Sequence, residues 1–202
     1  MSDLHGNAPD RSPVALILID VVNDLEWPGG DAMFPHAMEM AKRIAELKER
    51  AAAQRVPTIY VNDNFGRWKS DFRAQVARCL ERDVRGRPLV ELLRPTEDDY
   101  FVLKPMHSGF FGTTLELLLR HLEARTLVLT GIAANNCVLF TANDAYMRGY
   151  ELVIPADAVA ANSRAEADAA LAHMRTIVKA STPRTDDLDF ASLLSRGVQG
   201  SL

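Results

Sequence analysis

The sequence lacks any long apolar stretch. Its longest unbroken apolar run extends only from Val14 to Ile19, whereas a membrane-spanning helix needs about 20 such residues. The first residues, MSDLHG, contain neither the basic cluster nor the apolar core of a secretory signal peptide. We therefore expect a protein that neither enters a membrane nor is exported, and we assign it to the cytoplasm.

Cysteine and excess positive charge are also scarce. Cys79 and Cys137 are the only cysteines, and in a reducing compartment we expect both thiols to be free. The net charge is −4, from 23 basic and 27 acidic side chains, so the chain as a whole has no electrostatic attraction to nucleic-acid phosphates. These features exclude a disulfide-stabilised miniprotein and favour a protein that binds a small molecule, with no nucleic-acid partner.

The remaining composition is that of an ordinary globular domain. Of the 202 residues, 48% are hydrophobic and 25% are charged, which is typical of a soluble chain with one core. Residues 1–12 are polar and punctuated by proline, and we interpret them as a flexible N-terminal segment. Residues 13–202 are predicted to form a single domain.

Short apolar runs alternate along the chain with longer segments of helical period. The runs that predict strands are 14–19, 57–61, 100–103, 126–130 and 151–154, with a weaker sixth near 182–185. Helices are predicted over 38–53, 114–122, 136–147 and 163–180, the last opening with the capping-box spacing of Ser163 and Glu166. This alternation predicts an α/β fold: a three-layer sandwich with a six-stranded, mostly parallel sheet and helices on both faces.

Three chemically reactive side chains stand at the predicted carboxyl ends of strands. The first strand ends at Asp20, the third at Lys104, and the fourth leads through a glycine-containing loop to Cys137. Ligands of open parallel sheets bind at this edge, so we expect a carboxylate, an ammonium and a thiol to converge there. The lysine charge and a helix N-terminus would both lower the thiol pKa, and the carboxylate could move its proton.

Plainer interpretations of each residue stay open at this point. A lone cysteine before a helix is most often a small buried hydrophobe, an aspartate after a strand is often a turn residue, and a strand-end lysine is usually solvated. Only their joint position at strand ends favours a nucleophilic site.

Three segments resemble the signature segments of the isochorismatase-like cysteine hydrolases. They are LIDVVND (18–24), KPMHSGFFG (104–112) and GIAANNCV (131–138). The resemblance covers nearly the whole chain, from about Val14 to Ala180. It implies a six-stranded parallel sheet and a catalytic triad of Asp20, Lys104 and Cys137. It also implies a cis peptide between Ile132 and Ala133, with the backbone N–H groups of Ala133 and Cys137 forming an oxyanion hole.

Two departures from the family pattern narrow the expected chemistry. Many members carry threonine where this chain has Ala134, which removes a hydroxyl from the loop. Isochorismatases that cleave vinyl ethers generally lack the cysteine, so Cys137 favours the branch that acts on C–N bonds. Nicotinamidases of the family hold a metal with histidines after the second strand, but residues 62–68, NDNFGRW, contain none; we expect no metal and interpret Asp63 as a turn residue at the rim of the cleft.

Other residues near these segments are candidates for substrate contact. They are Asp24 in the first segment, His107 and Phe110 in the second, and Asn64 and Trp68 after the second predicted strand. A plain loop or packing role remains open for His107 and for each aromatic residue. No glycine-rich phosphate-binding motif follows a strand, so we expect no nucleotide cofactor and no other cofactor.

The resulting hypothesis is a cofactor-free, cysteine-dependent hydrolase of a C–N bond in a small amide or N-carbamoyl compound, acting through a thioester. Two alternatives are kept: a vinyl ether hydrolase that uses Asp20 without the thiol, and a non-catalytic member that binds a metabolite or partner. Family members commonly self-associate, and we expect a homodimer or homotetramer, to which the apolar residues around Phe140 could contribute.

Overall fold

The structure is a computed structural model that describes residues 11–65 and 71–199. Most of the segment predicted to be flexible, and the predicted substrate residue Trp68, lie outside these ranges. The six strands are β1 (Val14–Ile19), β2 (Thr58–Asp63), β3 (Tyr100–Lys104), β4 (Thr126–Ile132), β5 (Glu151–Val153) and β6 (Val159–Ala160). The helices are α1 (Gly30–Ala53), α2 (Phe72–Glu81), α3 (Arg87–Leu92), α4 (Leu115–His121), α5 (Leu139–Met147), α6 (Arg164–Thr176) and α7 (Phe190–Gln199).

The strands form one six-stranded sheet in the order β3-β2-β1-β4-β5, and every pair is parallel. β6 also pairs with β4, in parallel. β5 lies beside the first half of β4, at Thr126–Val128, and β6 lies beside its end, at Gly131–Ile132. Two short strands thus occupy one side of β4 in succession, and all carboxyl ends point toward one edge of the sheet.

The residues of β1 divide the core into two layers. Val14, Leu16 and Leu18 pack into one apolar cluster with α1 and α3, whereas Ala15, Ile17 and Ile19 pack into another with α4, α5 and α6. All six β1 side chains are buried, which is typical of a central strand covered by helices on both faces. The predicted three-layer α/β sandwich is confirmed.

Two predicted boundaries differ from the structure. α1 begins at Gly30, well before residue 38, and includes Pro35; the glycine pair and the proline made this stretch look like a loop. α6 ends at Thr176, not near residue 180. None of the helices in the described residues is long and apolar enough to cross a membrane.

The predicted sixth strand near residues 182–185 is wrong. That segment makes a single parallel bridge from Ser181 to Val153, and Pro183 follows, which has no N–H to extend a ladder. The sixth strand is instead β6, which is only two residues long. A strand of that length is too short for its side chains to show a periodic pattern.

Gly131 allows β1 and β4 to approach each other at the reactive edge of the sheet. It has φ of 109°, a conformation that residues with a Cβ rarely adopt. A Cβ built at this position would lie 2.1 Å from the carbonyl oxygen of Ile19. Any larger residue would therefore push β4 away from the residue that precedes Asp20.

We predict that Gly131→Ala destabilises the protein more than Gly149→Ala. Gly149 also has a positive φ, 82°, but a Cβ there would meet nothing within 4 Å. Gly149→Ala should cost only the backbone penalty of about 1–2 kcal/mol, and Gly131→Ala should cost at least about 2 kcal/mol more because it adds a backbone clash. Urea unfolding of both variants measures the difference, and equal losses would contradict it.

Candidate active site

Asp20 follows β1 in a left-handed backbone conformation. Its φ is 52°, a region that aspartate tolerates better than most residues. Its N–H donates to the carbonyl oxygen of Val61 at 3.0 Å, so the chain is still held by β2 at this point. The side chain is only 7% exposed, and the turn directs it toward the ends of the neighbouring strands.

A buried amide fixes the chain that follows Asp20. The fully buried Asn62 of β2 accepts a hydrogen bond from the N–H of Val22 at 3.1 Å and donates to the Val22 carbonyl at 2.8 Å. The next residue, Asp63, donates its backbone N–H to Asp20 Oδ1 at 2.6 Å. β2 therefore holds both the loop and the carboxylate of Asp20.

Lys104 is the last residue of β3, and its side chain is completely buried. Its Nζ lies 2.9 Å from Asp20 Oδ2 and 3.4 Å from Cys137 Sγ. It also donates to the carbonyl oxygen of Met106 at 3.2 Å, and Asp63 Oδ2 lies 3.7 Å away. The plainer interpretation of Lys104 as a solvated strand-end residue is thus excluded, and the ammonium lies between the carboxylate and the thiol as predicted.

Cys137 lies in a π-helical turn, Ala134–Val138, which leads directly into α5. Thr141 ties this turn to the loop after β3, because its hydroxyl donates to the Cys137 carbonyl at 2.7 Å and accepts from the Gly109 N–H at 2.9 Å. In the same loop, the Ser108 hydroxyl donates to Asp144 at 2.5 Å. These bonds hold His107 with its Nδ1 3.9 Å from Cys137 Sγ.

The environment of Cys137 stabilises the thiol rather than the thiolate. Burial and the neighbouring Asp20 carboxylate raise the pKa of Cys137 to about 12, although Lys104 opposes this. The sequence-based expectation of a lowered thiol pKa is therefore wrong, because it counted the lysine but not the desolvation or the carboxylate.

Asp20 and Lys104 shift each other in opposite senses. Burial raises the pKa of Asp20, whereas Lys104 and hydrogen bonds oppose the rise. Burial opposes the charge on Lys104, but Asp20 and Cys137 outweigh it and the lysine pKa is raised. Lys104 is accordingly charged, and the raised pKa of Asp20 makes its carboxylate a stronger acceptor for the proton of the adjacent thiol than an exposed aspartate would be.

The backbone before Cys137 has the unusual geometry that the family resemblance implies. The peptide between Ile132 and Ala133 is cis, as predicted. The carbonyl of Ala133 accepts hydrogen bonds from the N–H groups of Asn136 at 3.0 Å and Val138 at 3.1 Å. Ala133 and Cys137 both line the same cavity.

This cavity has a volume of about 720 Å³ and opens at the carboxyl edge of the sheet. Asp20 and Cys137 lie in its wall, so the thiol is reachable from solvent. The remaining lining residues are mostly polar or aromatic: Asn23, Trp27, Met33, Asp63, Phe65, His107, Ile132, Ala133, Asn135, Asn136, Asn162 and Glu166. A volume of this size suits a small organic molecule.

Of the predicted substrate-contacting residues that the structure describes, only His107 lines this cavity. Asp24 forms an ion pair with Arg78 at 2.9 Å outside it. Phe110 is buried against Tyr150, with a ring distance of 5.9 Å, and it belongs to the core. Asn64 is also buried and lies outside the lining; its N–H donates to the Lys104 carbonyl at 3.0 Å.

Sequence reasoning missed several lining residues and understated Asp63, which contacts both Asp20 and Lys104. Asn162 and Glu166 were missed because they follow β6, which the sequence does not reveal. Glu166 was interpreted only as part of a capping box, and its N–H does donate to Ser163 Oγ at 3.3 Å. A sequence pattern that predicted β6 would also have predicted that the start of α6 lies at the cavity.

The described residues were compared with the arrangement of side chains that a metal ion needs. Within 11–65 and 71–199, no group of three or more His, Cys, Asp or Glu side chains is arranged to hold a metal ion. The charged group next to Asp63 is the ammonium of Lys104, with 3.7 Å between Oδ2 and Nζ. The absence of a catalytic metal stays a prediction from the sequence.

Comparison with known proteins gives matches over most of the chain. The isochorismatase domain family matches residues 14–185. An uncharacterized isochorismatase family protein, YaaI of Bacillus subtilis, is 39% identical over 168 residues, which is 83% of this chain and 92% of that protein. N-carbamoylsarcosine amidase of an Arthrobacter species is 27% identical over 167 residues, or 77% of this chain and 60% of its own length.

A solved structure agrees with these matches. The crystal structure of N-carbamoylsarcosine amidase from Thermoplasma acidophilum superposes with a TM-score of 0.68 at 28% identity, covering 87% of this chain and 98% of that one. Because the domain match spans most of the sequence and the fold agrees, this chain belongs to the isochorismatase-like hydrolase family.

Proposed function

We propose that this hydrolase cleaves a C–N bond in a small amide or N-carbamoyl compound, with Cys137 as nucleophile. The observation that carries the proposal is the contact of Lys104 Nζ with both Asp20 Oδ2, at 2.9 Å, and Cys137 Sγ, at 3.4 Å, beside the cavity. The names of the two N-carbamoylsarcosine amidases support the substrate class.

The first step is the attack of sulfur on the carbonyl carbon. The proton rests on Cys137 because the pKa of its thiol is about 12, so a free thiolate is scarce near neutral pH. Asp20 therefore accepts the proton as the carbon–sulfur bond forms. The fixed charge of Lys104 stabilises negative charge on either partner during this transfer.

Attack converts the carbonyl oxygen to an oxyanion. The N–H groups of Ala133 and Cys137 are the proposed donors to it. Each such donor contributes about 3–4 kcal/mol to the stability of comparable transition states.

Asp20 then returns the proton to the departing nitrogen, and the C–N bond breaks to leave a thioester on Cys137. A water molecule gives a proton to Asp20 and attacks the thioester carbon. The product acid leaves, and the proton returns to sulfur. One C–N bond and one water O–H bond are exchanged for one C–O and one N–H bond, with no oxidant or metal required.

We predict that Cys137→Ala lowers kcat by at least about 10³-fold on any amide or N-carbamoyl substrate that the wild type hydrolyses, because it removes the nucleophile. Circular dichroism should stay unchanged, since the sulfur occupies a cavity wall. A screen of small amides, ureas and N-carbamoyl amines by ammonia release provides the substrate and measures kcat.

Cys79→Ala is the matched control. Cys79 is the other free thiol, belongs to α2 and is buried in the core, and burial raises its pKa to about 11. Its removal should leave kcat within about twofold, as for a core site remote from the chemistry. Full turnover by Cys137→Ala would rule out the thiol mechanism.

We predict that Asp20→Asn lowers turnover by at least about 10²-fold, since it removes the base, and at the same time lowers the pKa of Cys137. The sign follows from the site: the Asp20 carboxylate raises the thiol pKa, whereas Lys104 lowers it. Without the carboxylate, burial alone opposes the lysine, and the thiol ionises at lower pH than in the wild type.

Iodoacetamide alkylation of Cys137 as a function of pH measures this second effect. Lys104→Met provides the opposite test, because removal of the ammonium should move thiol reactivity to higher pH. If Cys137 in Asp20→Asn is alkylated over the same pH range as in the wild type, or only at higher pH, the carboxylate does not control the ionisation of the sulfur.

A further inference from the structure

Carboxylates and amides, together with the imidazole of His107, line the described part of the cavity. Asp20, Asp63 and Glu166 contribute acidic groups, while Asn23, Asn135, Asn136 and Asn162 contribute amides. Within residues 11–65 and 71–199, no lysine or arginine is among the lining residues. The described part of the cavity wall thus offers negative charge and neutral hydrogen-bonding groups to a ligand.

The buried ammonium of Lys104 does not change this balance. Lys104 lies behind the wall, fully buried, and its charge is matched by Asp20 at 2.9 Å. Asp63 Oδ2 is 3.7 Å from the same nitrogen, and its side chain is 31% exposed. After the Asp20–Lys104 pair is counted, Asp63 and Glu166 remain as the acidic groups among the described lining residues.

Glu166 is the acidic residue best placed to act on a ligand alone. Its carboxylate forms no ion pair with the described residues, whereas Asp168 in the same helix is paired with Arg164 at 3.1 Å. Glu166 lies in the first turn of α6 and lines the cavity from the side of β6. It is therefore separate from the groups proposed to carry out the chemistry.

Two aromatic residues complete the wall. Trp27 and Phe65 both line the cavity, and aromatic faces attract cations, most strongly in the case of tryptophan. Such rings accept an uncharged group equally well. They give no favourable contact to a carboxylate over their faces, because the face of the ring is itself negative.

We infer that the substrate carries a neutral or positively charged group beyond its scissile bond, with Glu166 selecting against an anion. This rests on the proposed function and defines its substrate class. N-carbamoylsarcosine, in the name of the related amidases, bears a carboxylate, so the inference sets this chain apart from them.

Charged thiol reagents test the inference without a known substrate. The probes are 2-aminoethyl, methyl and 2-sulfonatoethyl methanethiosulfonate, which are cationic, neutral and anionic. Each transfers its alkylthio group to Cys137, releases methanesulfinate and leaves a mixed disulfide. After division by the rate with 2-mercaptoethanol, we expect the cationic reagent to react fastest and the anionic one slowest, with Cys137 followed by peptide mass spectrometry.

Glu166→Gln assigns the effect to one residue. Because Glu166 is exposed, its charge should be worth about 2–5-fold for each charged reagent. The ratio of cationic to anionic rates should fall by the product of those two factors, and neutral reactivity should stay within about twofold. Asp168→Asn is the matched control, since it removes the same charge from the same helix outside the cavity, and it should leave the ratio unchanged.

A normalised ratio at or below one in the wild type would overturn the inference, as would an equal change in Asp168→Asn. The ratio should also shrink as ionic strength rises, since salt screens exposed charges. A ratio that does not respond to salt would indicate a steric preference among the reagents and would likewise overturn the role of charge.

Substrate analogues separate this inference from the proposed function. N-carbamoylglycine, N-carbamoylglycinamide and 2-aminoethylurea share a ureido group and differ in charge. Cys137-dependent hydrolysis that favours the last two supports both proposals. Cys137-dependent hydrolysis that favours N-carbamoylglycine overturns only the inference, and turnover that survives in Cys137→Ala overturns the proposed function while the reagent ratio still decides the inference.

Discussion

The buried ion pair between Asp20 and Lys104 is the constraint on which the site depends. Asp20 follows β1 and Lys104 ends β3, and these two strands are not neighbours in the sheet. The pair therefore forms only if β2 sets the register of both strands: Ile19 lies opposite Val61, and Asp63 lies opposite Lys104. A lysine with no exposed surface cannot stay charged without a partner. A slip of one residue in β3 would turn Lys104 to the opposite face of the sheet. The core that fixes strand register therefore also assembles the reactive groups.

The burial that surrounds this ion pair also favours the protonated form of Cys137. Desolvation and a carboxylate act together on Cys137, and one ammonium does not outweigh them. In the proposed mechanism, the sulfur becomes nucleophilic only when Asp20 takes its proton during attack, and a protonated thiol reacts more slowly with oxidants because the thiolate is the reactive form. Such a site differs from a helix-activated thiolate, in which the sulfur ionises before the substrate arrives. The location of the proton, rather than the presence of a cysteine, distinguishes the two designs.

Much of this arrangement could be predicted from the sequence, because strands buried on both faces appear as continuous apolar runs and the order of strands and helices indicates a parallel sheet. β1 is apolar throughout and is followed directly by Asp20. This pattern predicted both the strand and the position of the carboxylate. What could not be predicted depends on contacts between segments far apart in the chain. Phe110 looks like a cleft aromatic in sequence but packs against Tyr150, and Asp24 looks like a site carboxylate but pairs with Arg78. The pKa of Cys137 depends on how deeply the sulfur is buried, which no local pattern encodes.

The unpredicted part also has a common location. β1, β3 and the turn after β4 supply the reactive groups, whereas β6 and the start of α6 supply Asn162 and Glu166 on another side of the cavity. β6 is held by only two residue pairs with β4, so its surroundings can change without disturbing the register that aligns Asp20 with Lys104. Charge at Glu166 can then alter which molecule enters the cavity while the reacting atoms keep their geometry. In the proposed function, catalysis depends on the deep core of the sheet and selectivity depends on residues that follow its short last strand, which explains why the sequence indicates the first more readily than the second.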